Sequence, residues 1–144
     1  MKILMVCLGN ICRSPLAEGI MQHLAKGHGL DWQVDSAGTG NWHVGQSPDR
    51  RSIRVAREHG VDISGQVCRL FRMSDFDEFD LIFAMDKNNL SDIMAMARHE
   101  DDVRKVKLLL GDKTVPDPYY DDEQFEPVFG MIEEGCGAII KHLV

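Results

Sequence analysis

The segment Cys7-Leu8-Gly9-Asn10-Ile11-Cys12-Arg13-Ser14 follows the apolar run Lys2–Val6 and leads straight into Pro15 and a helical pattern. A chain that opens this way commits its N-terminal part to a strand, a tight loop and a helix. Lys2 to Leu8 is predicted as a buried strand, read this way because no longer apolar region or small-residue cleavage site suggests a leader peptide. Ser14 is expected as the helix N-cap and Pro15 as the first helical residue, where its missing N–H costs nothing. Leu16, Ile20, Met21 and Leu24 then share one face, and Gly27 can stop the helix.

The alternation continues along the chain, which predicts an α/β fold: about four parallel strands flanked by helices on both faces. Trp32–Ser36 is the second predicted strand, followed by a glycine-rich loop through Gly45. Ser47-Pro48 repeats the serine–proline start, for a helix running to His59 with Gly60 as its stop. Asp80–Met85 is the third strand, and Leu90, Ile93, Met94 and Ala97 mark the helix after it. Val103–Leu110 is the fourth. Phe125, Val128, Phe129, Ile132, Cys136, Ile139, Ile140 and Leu143 define a last helix. In such sheets ligands sit at the carboxyl ends of the strands, near the point where strand order reverses, so the loop after the first strand is the expected site.

Residues 1–144 fit one domain, with 44% apolar and 27% charged residues and no repeat or low-complexity tract. No apolar run has the length of a membrane span. A net charge of −7 argues against nucleic acid as a partner and against an extended basic surface, and leaves phosphate to a compact local site. Cys7, Cys12, Cys68 and Cys136 form no C-x-x-C pair, which fits free thiols in a reducing cytoplasm. Cys68 and Cys136 are expected to pack in the core. The six histidines show no metal-ligand spacing, so no metal site is expected.

Each residue of the first loop has a physical reason to serve phosphoryl transfer. Gly9 and Asn10 tolerate left-handed backbone angles, so the loop can curl with its N–H groups inward as an anion nest. The helix behind adds its positive end. Arg13 offers a planar fork matched to two phosphate oxygens. This field favours the thiolate of Cys7, a nucleophile to which the Ser14 hydroxyl can donate. Taken singly, Cys7 reads equally as a strand-end thiol and Arg13 as a surface charge; their spacing between a strand and a helix start is what joins them. No P-loop motif is present, and Gly38-Thr39-Gly40 lacks the third glycine of a dinucleotide fingerprint.

Residues Cys7 to Glu18 resemble the signature of the low-molecular-weight protein tyrosine phosphatases, and the likeness extends through Asp35–Thr39 and Ala84-Met85-Asp86 to Pro116–Tyr120. The resemblance implies a four-stranded parallel sheet, a phosphocysteine on Cys7, phosphate bound by Arg13, and Asp117 as general acid. It places Leu8 near the mouth and Trp42 and Tyr119 as walls of a slot for the substrate ring, with Gly9, Asn10, Ile11, Cys12 and Ser14 completing the phosphate loop. Phosphotyrosine-containing proteins would be the partners, with no metal or organic cofactor needed; a monomer is expected, with weak self-association left open. Many family members carry a histidine after the Ser-Gly turn; this chain has Gln66 or a neighbour there.

The residues of the distal motif agree with that role. Expelling a phenoxide is helped by a carboxylic acid that protonates the leaving oxygen, and Pro116 and Pro118 stiffen the loop around Asp117. The same stretch reads as a plain acidic turn, since Asp121, Asp122 and Glu123 follow. Tyr119-Tyr120 also fits a pair of core aromatics, whereas Trp42, in a polar glycine loop, fits binding better than core. Cys12, in the same tight loop as Cys7, is expected to guard it by reversible disulfide formation, or else to pack beneath the loop.

Three other functions fit parts of this pattern. Thioredoxin-coupled arsenate reductases share the fold and loop but need two further cysteines beside the third strand, and Phe83–Ile93 has none. Protein-arginine phosphatases typically carry a small hydroxyl residue where Ile11 stands; an aliphatic side chain favours a flat aryl ester. A non-catalytic phosphotyrosine reader would not need Cys7, Arg13 and Asp117 together.

Overall fold

A computed structural model describes residues 1–144. The first strand, β1 (Lys2–Cys7), stops one residue earlier than predicted, where the chain turns into the loop. Its apolar residues alternate between two cores, as the two-residue period of a strand requires. Ile3, Met5 and Cys7 face one layer, and Leu4 and Val6 the other. Three more strands run parallel to it: β2 (Gln33–Gly38), β3 (Leu81–Ala84) and β4 (Val106–Leu108). The order is β2-β1-β3-β4, with Cys7 paired to Gly38 and Val6 to Ala84. The chain leaves β1 first to one side and later to the other, so the crevice opens at Cys7.

On the first face lie α1 (Arg13–Gly27), α2 (Arg50–Glu58) and α6 (Phe125–Leu143), joined through Leu16, Ile20, Val55, Phe129 and Ile132. The other face carries α3 (Asp75–Glu78), α4 (Lys87–Met94) and α5 (Glu100–Arg104), packed around Phe76, Ile82 and Ile93. No helix is long and apolar enough to cross a membrane.

Four local expectations change. Helix α1 starts at Arg13 with Cys12 in the cap position and no side-chain cap bond, because the Ser14 hydroxyl is turned toward Cys7 and Asn10 instead. Helix α2 starts at Arg50 rather than at Ser47-Pro48; its cap is Asp49, whose carboxylate accepts from the Arg51 amide at 2.8 Å. The predicted strand Val103–Leu110 keeps only Val106–Leu108, since Val103 and Arg104 end α5. The second strand runs on to Gly38, beyond the predicted Ser36.

Candidate active site

Residues Leu8–Cys12 bridge β1 and α1 and wrap the Cys7 sulfur. Asn10 holds φ +56°, the left-handed angle that lets the loop curl; Gly9 does not share it, contrary to expectation. Gly9 is instead a close approach, since a Cβ there would meet the His43 ring at 3.2 Å. The Asn10 amide donates to Cys7 Sγ at 3.3 Å, while the amides of Gly9, Ile11, Cys12 and Arg13 donate to no acceptor within the protein. A group of unpaired N–H donors beside a sulfur and a helix N-terminus is an anion nest.

Behind the loop a chain of polar side chains is bonded together. Ser14 Oγ lies 3.0 Å from Cys7 Sγ. Asn10 Nδ2 donates to Ser14 Oγ at 2.8 Å and to Ser36 Oγ at 3.0 Å, and Ser36 Oγ donates to Glu18 Oε1 at 2.7 Å. Asn10 Oδ1 accepts from the Arg69 amide at 2.9 Å, and its backbone oxygen accepts from Cys68 Sγ at 2.7 Å. Asn10 and Ser14 are therefore buried supports of the loop rather than part of the pocket wall. Cys68, expected only as packing, also ties the loop down.

Arg13 is 3% exposed and donates through one nitrogen to Asp86 Oδ2 at 2.6 Å and to the Val115 carbonyl at 2.9 Å. Burial opposes its charge, yet Cys7, Asp86 and Asp117 together hold it above the ordinary arginine value. Asp86, at the carboxyl end of β3, also caps α4 in a reciprocal pair with Asn89. Its anchoring of Arg13 was not anticipated, although the motif Ala84-Met85-Asp86 was visible.

Asp117 stands at the same pocket. Its Oδ2 is 3.9 Å from an Arg13 nitrogen, its Oδ1 accepts from the Tyr119 amide at 3.1 Å, and its side chain is 41% exposed. The pocket encloses about 380 Å³. Its walls include every remaining predicted residue, namely Leu8, Gly9, Ile11, Cys12, Trp42 and Tyr119, with His43 and Tyr120 in addition. Trp42 is 66% exposed, Tyr119 38% and Tyr120 91%, so neither tyrosine of the pair is a core residue. Gly40 lets the indole lie against the backbone, where a Cβ would collide with its ring. Arg51, from α2, places its guanidinium 5.3 Å from the Tyr119 ring centre and braces that wall.

The other thiols are held in the neutral form while Cys7 is reduced. Burial, then Asp49 and Cys7, push the Cys12 thiol up, burial pushes Cys136 up further into the core, and burial with Cys7 raises Cys68 to about 11. No three His, Cys, Asp or Glu side chains are grouped as a metal site. A larger cavity of about 610 Å³ lies between β4 and α6, lined by Leu81, Phe83, Leu109 and Ile139 together with Lys107 and Glu134, and it shares no residue with the pocket around Cys7.

A family model described as low molecular weight phosphotyrosine protein phosphatase matches residues 2–144. The chain belongs to this family. It is 40% identical to low molecular weight phosphotyrosine protein phosphatase 1 of Drosophila melanogaster, over 97% of this chain and 95% of that protein. A solved protein tyrosine phosphatase from Entamoeba histolytica superposes with a TM-score of 0.94 at 37% identity, covering 99% of this chain and 96% of that one. The Drosophila arginine phosphatase superposes at 0.92 with 37% identity, covering 99% and 98%. Within the family frame, Gln66 donates to the Pro15 carbonyl at 3.1 Å and leaves its own buried oxygen without a partner. It braces α1, and the loop is held by Arg69 and Cys68 instead.

Proposed function

We propose that the chain hydrolyses phosphotyrosine in proteins, and small aryl phosphates, through a phosphocysteine on Cys7. The support is the set of unpaired loop amides around one sulfur, with Arg13 beside it and a carboxyl group at the same pocket. The Cys7 thiolate attacks phosphorus while the bond to the aryl oxygen breaks, and Asp117 gives that oxygen its proton. Water then attacks the phosphocysteine, the sulfur leaves as thiolate, and the Asp117 carboxylate takes the proton. Arg13 and the loop amides neutralise charge on the phosphoryl oxygens, and Ser14 stabilises the sulfur anion. Trp42, Tyr119 and Tyr120 enclose a flat ring, and Ile11 gives the floor an aliphatic side chain. The enzyme acts as a cytoplasmic monomer without metal or organic cofactor.

Purified protein in chelator should turn over para-nitrophenyl phosphate and phosphotyrosine peptides, and Cys7→Ser should lose well over about tenfold while still binding phosphate. A Cys7→Ser protein above about a tenth of the wild-type rate would remove Cys7 as nucleophile. Similarity to an arginine phosphatase makes a phosphoarginine peptide the necessary comparison. Faster turnover of that peptide than of phosphotyrosine would replace the tyrosine reading.

Redox sensitivity belongs to the same proposal. Cys7 and Cys12 line one pocket, and oxidation of Cys7 removes the charge that, after burial and Asp49, pushes the Cys12 thiol up. Peroxide oxidises Cys7 to a sulfenic acid; Cys12 attacks that sulfur, water leaves, and a disulfide forms that added thiol reduces. After peroxide and then dithiothreitol, wild type should recover most activity and Cys12→Ser much less. Equal recovery would leave Cys12 as a packing residue.

A further inference from the structure

The outer face of α2 reads differently from the rest of this acidic chain. Ser52, Val55 and Ala56 are its buried side. Arg50, Arg54 and Arg57 are spaced four and three residues apart, so they form one stripe on the opposite, solvent-facing side. All three are exposed and none makes an ion pair, whereas Arg51 is tied to Asp49 and Asp122. The acidic neighbours along the helix are few: Asp49 is bonded to Arg51, Glu58 ends the helix, and Asp62 lies in the field of Arg57. In a chain of net charge −7, three aligned unpaired arginines are a local reversal of sign.

The N-terminal end of α2, below the stripe, is tied to the phosphate loop and to Tyr119. The Asp49 amide donates to the Ile11 carbonyl at 2.8 Å, Ser52 Oγ reaches the Cys12 carbonyl at 3.4 Å, and Arg51 braces the Tyr119 ring. From Arg50 to Arg57 the helix rises about 10 Å. An extended peptide covers that distance in about three residues. Beyond Tyr119 the chain carries Asp121, Asp122 and Glu123, of which Asp122 alone is paired to an arginine. The surroundings of the slot are thus polarised, basic along α2 and acidic along the loop that bears Asp117.

We propose that the Arg50–Arg54–Arg57 face of α2 binds an acidic segment of about three residues in the substrate protein, on one side of the phosphotyrosine only. This rests on the tyrosine phosphatase reading above. Complementary charge speeds encounter and fixes peptide direction, and it acts on the substrate chain without touching the phosphoryl group.

The test uses three phosphotyrosine peptides, with aspartates on the N-terminal side, with aspartates on the C-terminal side, and with neutral flanks, alongside para-nitrophenyl phosphate. Wild type should favour one acidic peptide over the neutral one by roughly tenfold in kcat/KM at low salt. That preference should fade as salt shortens the screening length to about 3 Å at 1 M. Arg50→Glu/Arg54→Glu, both surface changes, should abolish the preference while turnover of para-nitrophenyl phosphate and the neutral peptide stays within about twofold. Equal rates on all three peptides in wild type, or a preference that survives the double substitution, would overturn the proposal. So would inhibition by heparin equal in the variant and in wild type, which marks polyanion binding elsewhere. Failure to hydrolyse even the neutral phosphotyrosine peptide, with para-nitrophenyl phosphate still consumed, would overturn the tyrosine reading itself and this proposal with it.

Discussion

Cys7, Ser14 and Asn10 are locked together by bonds of 2.8 to 3.3 Å, whereas Asp117 makes one hydrogen bond, to the Tyr119 amide, and stands 3.9 Å from Arg13. The difference suits their tasks. The nucleophile and its anion nest need fixed geometry before substrate arrives, because preorganised donors stabilise developing charge without rearranging. An acid serving leaving groups of different depth needs some freedom. Asp117→Asn keeps an acceptor for the Tyr119 amide, so it removes the proton and leaves the loop in place. Turnover of phenyl phosphate, whose leaving group is a poor one, should then fall about 10²–10³-fold, and that of aryl phosphates with acidic phenols by much less. The measurement is the slope of log kcat/KM, which reports the step that expels the leaving group, against leaving-group pKa, and it should steepen in the variant. Equal slowing of all esters would make Asp117 a loop anchor and send the search for the acid elsewhere.

At the scale of elements, the parts that the sequence made legible are those stabilised by their own periodicity. The strand Lys2–Cys7, the helix after the loop and the helix Phe125–Leu143 all appear where their apolar spacing placed them. Short elements held by ion pairs rather than by apolar spacing did not show. Helix α3 rests on buried Asp75, which takes two nitrogens of Arg69 at 3.0 and 3.1 Å and the Arg72 amide at 3.0 Å. Helix α5 rests on Asp102, gripped by Arg98 at 2.9 Å. Neither segment has the length or moment to announce a helix, and α5 consumed the start of the predicted fourth strand. The same division runs through the site. Cys7 and Arg13 share one loop and were legible together, while Asp86 supports Arg13 from 73 residues away, a contact that only the sheet order creates. Ser14 misled as a helix cap because its hydroxyl had a stronger claim on it, from Asn10 and the Cys7 sulfur.

For the whole molecule, the cost of supporting the loop from behind falls on Glu18. Burial is the largest influence on it and raises its carboxyl to about 7, only partly offset by the hydrogen bond from Ser36, with Asp35 pushing the same way as burial. In the unfolded chain the group returns to about 4.3. Between those values the folded state binds more protons than the unfolded one, so stability falls as pH rises from about 4.3 to 7. The contribution is complete below that window and absent above it, a change on the order of 3 kcal/mol. Asp49 and Asp102 have the opposite sign: hydrogen bonds and charge from Arg51 and Arg98 lower their carboxyls, outweighing desolvation, and their support is lost as pH falls through those values. The stability maximum should therefore lie on the acid side of neutrality, near pH 5. Glu18→Gln keeps an oxygen to accept from Ser36 and cannot ionise. Urea unfolding from pH 4.5 to 8 should give two curves that meet at the acid end and separate toward pH 8, where the variant is the more stable by up to about 3 kcal/mol. Parallel curves across that range would mean that Glu18 is ionised and compensated throughout, and that the hydrogen-bond chain to Cys7 carries no titrating end.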